Sequence, residues 1–144
     1  MTCPFCTNEE VKNRVIIENN FAFAFPTNTP IVPGHILICP KRHIQYYEEA
    51  THEEKEAIEE LREKIKDALK KAFNAEGFNY AWNEEKIGGQ SVPHFHLHIV
   101  PRKEGDLGVY QYEPREFLYR PGPRTVATPN EELKDIVEII KKSI

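Results

Sequence analysis

The clearest periodicity in the chain runs from about His52 to Asn74. Ile58, Leu61, Ile65, Leu69, Ala72 and Phe73 recur at spacings of three and four, with Glu and Lys filling the positions between. That pattern predicts an amphipathic helix with one buried stripe. Thr51 and Glu54 have the spacing of a capping box, and Gly77 supplies a stop signal. Elsewhere the apolar runs are short. RVIIEN and FAFAF flank Asn19-Asn20 and predict a strand, a turn and a strand. PTNTPIVPG, with its prolines and glycine, predicts a loop. HILICP predicts a buried strand ending at Pro40, and GFNYAWN another. EEKIGG reads as a polar loop, and SVPHFHLHIVPR as an alternating strand in which Pro93 favours an edge position or an irregular start. Residues 104–124 are irregular. Thr128-Pro129-Asn130-Glu131 then predicts a helix with Thr128 as cap and Pro129 as its first residue, its apolar face formed by Leu133, Ile136, Val137 and Ile140. The sum is an α+β fold: a mostly antiparallel sheet, one long helix against it and a short C-terminal helix.

Length and charge narrow the function classes. At 144 residues the chain reads as a single domain over 1–144, with a core at about 3–103 and a C-terminal extension at about 104–144. A formal net charge of -4 without a basic tract gives a nucleic-acid partner little support. No apolar run approaches the roughly 20 residues that span a bilayer. MTCPFCTNEE lacks the regions of a signal peptide, so the expectation is a cytoplasmic protein without a membrane partner. Three cysteines fit a disulfide framework poorly. Cys39, inside HILIC, reads as a small buried hydrophobe. Cys3 and Cys6 form a Cys-x-x-Cys pair, open to three readings: free thiols, a redox pair, or half of a zinc site.

HFHLHIV carries the densest chemistry. Residues two apart on a strand share a face, so His94, His96 and His98 line one side and Phe95, Leu97 and Ile99 face the core. The row is a solvated face, a metal site or a catalytic line. Same-face neighbours lie roughly 6.8 Å apart along a strand, which makes one metal held by all three histidines geometrically awkward. Imidazole changes protonation near neutral pH and can act as nucleophile, acid or ligand. GGQSVP precedes the row: the glycines permit close backbone approach to a ligand, and Gln90 and Ser91 can donate hydrogen bonds to phosphate oxygens.

WNEEKIGGQSVPHFHLHIVPR resembles the signature of the histidine triad (HIT) family, and PIVPGHILICPKRHI resembles that family's upstream strand and its flanks. The resemblance covers roughly residues 3–103. It implies a HIT-like fold and a nucleotidyl hydrolase or transferase acting at the α-phosphate of a nucleotide conjugate. Dinucleoside polyphosphates come first as substrates and nucleoside phosphoramidates second, with a nucleotide-binding or signalling module of little catalysis as the alternative. By the same resemblance His96 is the nucleophile and forms a covalent nucleotidyl intermediate, and His98 contacts the phosphate and assists the leaving group. Gln90, Ser91, Asn83 and His35 are the matching positions around the phosphate. Thr27 stands where the family commonly carries a ribose-binding polar residue, with Asn28 as the substitute if the loop shifts by one.

The resemblance also decides among the readings of Cys-x-x-Cys. In the zinc-bearing branch two N-terminal cysteines, the PK-x-H histidine and the first triad histidine form one site; here these are Cys3, Cys6, His43 and His94. Four protein ligands close a zinc site, which makes the implied zinc structural. Mg²⁺ is a candidate companion of the substrate. A homodimer is implied as well. His52 reads as a surface residue. Phe5, Phe25 and Ile31 are candidates for a nucleoside pocket or for plain core. Arg115, Arg120 and Arg124 are candidate contacts to distal phosphates, against a solvated loop.

Overall fold

The computed structural model describes residues 3–106 and 128–144. The N-terminus forms two short helices, α1 (Pro4–Thr7) and α2 (Glu9–Asn13). At four and five residues they are too short to carry a periodic apolar pattern, so periodicity does not predict them. Five strands follow: β1 (Ile17–Glu18), β2 (Ala22–Pro26), β3 (Ile36–Pro40), β4 (Gly77–Ala81) and β5 (Leu97–Arg102). They make one antiparallel sheet in the order β1-β2-β3-β5-β4. β5, which holds the end of HFHLHIV, therefore lies inside the sheet, and the irregular start expected at Pro93 holds where the edge position does not. Asn19 builds the first turn by accepting from the backbone N–H of Phe21 and Ala22 at 3.1 and 2.9 Å.

Register divides the sheet into two faces. Ala24, Ile38 and Leu97 lie side by side, as do Ile36 and Ile99. Together with Ala22 and Phe95 they pack on α3 (His52–Phe73) through Leu61, Ile65 and Leu69. The opposite face carries Phe23, Phe25, Leu37 and Cys39 against Val11, with Phe5 partly buried beside them. His98 pairs with Leu37 and so belongs to this second face. Burying one face under α3 leaves the other for the N-terminal helices and the histidines. Cys39 is fully buried. His52 is exposed and pairs with Glu56 across one helical turn.

The capping box at the start of α3 forms as expected: Glu54 N–H donates to Thr51 Oγ1 (3.1 Å) and Thr51 N–H to Glu54 Oε1 (2.9 Å). The helix ends at Phe73, in line with the expected run to about Asn74. Asn74 takes a left-handed conformation (φ 55°) and returns its N–H to Leu69 O, as Asn tolerates at a helix end, and Gly77 instead opens β4. The C-terminal helix α4 (Asn130–Lys141) buries Leu133, Val137 and Ile140. Its cap is Pro129, not Thr128. Thr128 donates its backbone N–H to Asn28 O at 2.5 Å, which ties the entry of the helix to the loop after β2.

Glu54 has a second task. Its buried carboxylate accepts from Arg42 Nη2 (2.8 Å) and Nε (3.2 Å), fixing the loop after β3 to the first turn of α3. Those Arg42 bonds, followed by the Thr51 backbone, hold its pKa below the ordinary 4.5. A depressed carboxylate stabilises the fold above its unfolded value, and the gain is lost as pH falls through the folded value. Glu54→Gln should therefore be less stable than the wild type above about pH 4.5, with the gap narrowing below that. Urea titrations at neutral and acid pH measure the difference.

Candidate active site and metal cluster

β5 begins at Leu97, so of the three histidines only His98 sits in the strand. His94 and His96 lie on the segment leading into it, which is tied down where Phe95 N–H donates to Ile44 O (2.6 Å). The alternation survives without the strand. Phe95, Leu97 and Ile99 are in the core under α3. On the other side His94 and His96 both meet the Phe5 ring, at 5.8 and 5.1 Å between centroids, and His96 and His98 lie 4.9 Å apart.

Backbone partners fix where the protons sit. His96 Nδ1 lies 2.8 Å from the His94 carbonyl. A carbonyl only accepts, so Nδ1 carries the hydrogen and neutral His96 keeps its lone pair on Nε2. Ile31 N–H donates to His35 Nδ1 at 3.1 Å, and His35 Nε2 stands 2.9 Å from His98 Nδ1. Neutral His35 therefore carries its hydrogen on Nε2 and donates it to His98 Nδ1, which places the hydrogen of neutral His98 on Nε2. Two adjacent imidazoles thus differ in what they offer, His96 a lone pair on Nε2 and His98 a hydrogen on Nε2.

Gly34 makes the placement of His35 feasible. It has φ +92°, and a Cβ there would stand 3.1 Å from Pro101 Cγ, 3.2 Å from Leu69 and 3.3 Å from Phe73. Gly34→Ala combines left-handed strain with a tight contact and should cost about 1–3 kcal/mol. The cost is readable as a fall in unfolding free energy.

The loop before the histidines is bound to the segment after β3. Gln90 is buried. Its amide oxygen accepts from Gln45 Nε2 (3.2 Å) and Glu85 N–H (3.3 Å), and its Nε2 donates to Gln45 O (3.1 Å). Asn83 Nδ2 donates to Gly89 O at 3.3 Å, and Ser91 is exposed next to Gln90. Thr27 is buried, its hydroxyl accepting from Thr29 N–H (3.2 Å), while Asn28 is exposed. Phe5 and Phe25 stack edge to face at 5.3 Å on the histidine side of the sheet. Arg115, Arg120 and Arg124 lie outside the described residues.

A second cluster adjoins the first. One donor atom each from Cys3, Cys6, His43 and His94 lies within 4.8 Å of the others. His94 Nδ1 is 3.4 Å from both Sγ atoms and 3.2 Å from His43 Nδ1, and Cys6 Sγ is 3.6 Å from His43 Nδ1. A tetrahedral zinc with bonds of about 2.0–2.3 Å sets neighbouring N and S donors about 3.3–3.8 Å apart, so the donor set fits such an ion. His94 Nε2 donates to Pro40 O at 2.8 Å, turning the Nδ1 lone pair into the cluster, the outer support expected of a metal-binding imidazole. Burial lowers the pKa of His94 and keeps it neutral. Burial and the adjacent Cys3 push the Cys6 thiol up to about 11. A dication among these groups reverses that tendency, because coordination stabilises the thiolate. The Pro40 carbonyl and the Ile31 N–H are backbone groups that no side-chain pattern marks.

With this geometry in place, comparison with known proteins is specific. The HIT domain family matches residues 8–105. The chain belongs to the HIT family. Among its relatives, an uncharacterized HIT-like protein of Mycoplasma genitalium is 38% identical over 109 residues, covering 74% of this chain and 77% of that protein. The bis(5'-adenosyl)-triphosphatase of Dictyostelium discoideum is 33% identical over 96 residues, covering 67% of this chain and 64% of that enzyme. The solved diadenosine triphosphate hydrolase of Plasmodium falciparum, in complex with cyclomarin A, superposes with a TM-score of 0.73 at 27% identity, covering 91% of this chain and 76% of that one. The HIT fold here is the α+β arrangement described above. The family match takes in His35, His43 and all three triad histidines but begins after Cys6. Half of the metal cluster is thus supplied by chain preceding the matched span. Among the described residues no helix is long and apolar enough to cross a membrane.

Proposed function

We propose that this HIT protein is a nucleotidyl hydrolase or transferase that cleaves at the α-phosphate of dinucleoside polyphosphates or related nucleotide conjugates through a nucleotidyl-His96 intermediate. The observation that carries the reading is the His96 Nδ1 contact with the His94 carbonyl at 2.8 Å, which leaves Nε2 as the nucleophilic atom beside the His98 donor. In the first step Nε2 forms a bond to the α-phosphorus as the bond to the leaving phosphate oxygen breaks, and that oxygen departs as an anion that accepts a hydrogen bond from His98 Nε2–H. In the second, water or another acceptor displaces His96, the phosphorus–nitrogen bond breaks and the acceptor's proton passes to solvent. Splitting one displacement into two is the advantage of covalent catalysis. Ser91, Asn83 and one amide N–H of Gln90 are the proposed donors to the phosphate oxygens. Thr27 and Asn28 are the proposed ribose contacts, and Mg²⁺ is a proposed companion of the substrate's distal phosphates. Zinc, held by Cys3, Cys6, His43 and His94, supplies cross-linking between the N-terminus and the catalytic segment. The proposed working form is a cytoplasmic homodimer.

Relatives named as bis(5'-adenosyl)-triphosphatases favour dinucleoside polyphosphates over phosphoramidates. The deciding measurement is a panel of diadenosine polyphosphates and an adenosine phosphoramidate, followed by AMP release. Turnover of the former well above the latter is expected. A second reading, a nucleotide-binding module with little turnover, draws on Gln90, whose amide is mostly committed to Gln45 and Glu85. Tight AMP binding with no turnover across the panel would select it.

A further inference from the structure

The metal cluster and the nucleophile share residues. His94 gives its Nδ1 to the cluster and its carbonyl to His96 Nδ1. Phe5 lies inside the Cys3-x-x-Cys6 turn, which is closed by Cys6 N–H on Cys3 O at 3.1 Å, and its ring stands edge-on to His96, 85° between planes at 5.1 Å. The same ring touches His94 and Phe25. A ring in contact with both the cluster histidine and His96 is thus carried between the two cysteines. Both cysteines are partly exposed. Residues three apart in a helical turn stand about 5 Å apart at Cα, and disulfides form with Cα atoms about 4.4–6.8 Å apart.

We propose that Cys3 and Cys6 are an oxidative modification site that controls His96. Resting on the nucleotidyl-His96 reading, the inference makes Phe5 a positioning residue that passes the state of the cysteines to the nucleophile. The oxidant is a peroxide. The two thiolates lose two electrons and join as Cys3–Cys6 disulfide, the peroxide O–O bond breaks, and its oxygens take up two protons to leave as an alcohol and water. The metal ion is released as the free dication. Bringing the sulfurs to the roughly 2.05 Å of an S–S bond withdraws both from His94 and tilts the turn, moving Phe5 off His96. His94 keeps its bond to Pro40, so the fold persists while the nucleophile loses its flank.

The test uses the full chain loaded with zinc, treated with hydrogen peroxide and then with dithiothreitol plus zinc. Oxidation should release zinc to a chromophoric chelator, lower the intact mass by two hydrogens and lower kcat at least tenfold, with recovery on reduction. Phe5→Leu should lower kcat with KM little changed in the reduced protein, and Phe5→Tyr should restore it. The ring resonances of His96, assigned through their loss in His96→Asn, should move on oxidation in the wild type more than in Phe5→Leu. That arm reads whether or not a substrate is turned over, so it separates failure of the switch from failure of the catalytic assignment. The proposal is overturned by zinc release with unchanged kcat, by failure of the Cys3–Cys6 disulfide to form, by a Phe5→Leu effect confined to KM, or by equal His96 shifts in both proteins.

Discussion

His96→Asn should abolish turnover of the best substrate, with a loss on the order of 10³–10⁶ in kcat, the range seen when a covalent nucleophile is removed from a working site. The fold and the metal should be retained. The His96 side chain points away from the helix-side core, which is built from Phe95, Leu97 and Ile99. The metal donors belong to other residues. Asn can still donate toward the His94 carbonyl but offers no lone pair to phosphorus. Stopped reactions of the wild type should contain an acid-labile nucleotidyl adduct by intact mass, absent from the variant. Unchanged steady-state kinetics in His96→Asn would exclude the covalent route. His98→Asn is the companion: it should slow substrates with a poor leaving group most, because those depend most on the hydrogen bond that His98 Nε2–H gives the departing oxygen.

Removal of the metal is the second large effect. The cluster joins three places far apart in sequence: the N-terminal turn, the loop after β3 and the segment before β5. An ion that binds only the folded form stabilises it by about 4 kcal/mol at a thousandfold excess over its Kd. For a chain of this size that is about 10 °C in Tm. Chelation, or Cys3→Ser with Cys6→Ser, should lower Tm by about this amount and expose the N-terminal helices to limited proteolysis. Metal analysis of the purified chain should find about one zinc per protomer for a four-ligand site. An unchanged melting curve after complete chelation would remove the ion from the account of stability. His43→Asn is expected to do less harm than His94→Asn, since His43 is exposed while His94 is fully buried and also holds the Pro40 carbonyl.

The strongest sequence patterns and the structure agree where burial alone decides. The stripe from Ile58 to Leu69 specified α3 because a 3.6-residue period fits one packed face, and the alternation of Phe95, Leu97 and Ile99 specified which way the histidines turn. Errors fall where a local signal competes with a tertiary contact. Thr128 has the chemistry of a helix cap, yet it is tied to Asn28 O in the neighbouring loop and the carbonyl of Pro129 accepts the first helical bond, from Leu133. The helices at Pro4–Thr7 and Glu9–Asn13 are too short to show a period.

For the site, the residue types in HFHLHIV, GGQS and Cys-x-x-Cys were enough to place this chain among HIT proteins and to name the groups worth testing. Sequence alone thus determined the family, the long helix and the inventory of donors and nucleophiles, because these rest on side-chain chemistry and short-range spacing. Only the tertiary structure decided the division of labour within that inventory. The His94 carbonyl sets the tautomer of His96, the Ile31 N–H sets those of His35 and His98, and the Pro40 carbonyl turns His94 toward the cysteines. Each of these partners is a backbone group, identical in every residue type. Its position is fixed by how the strands and loops meet in space, so no reading of side chains along the chain can find it.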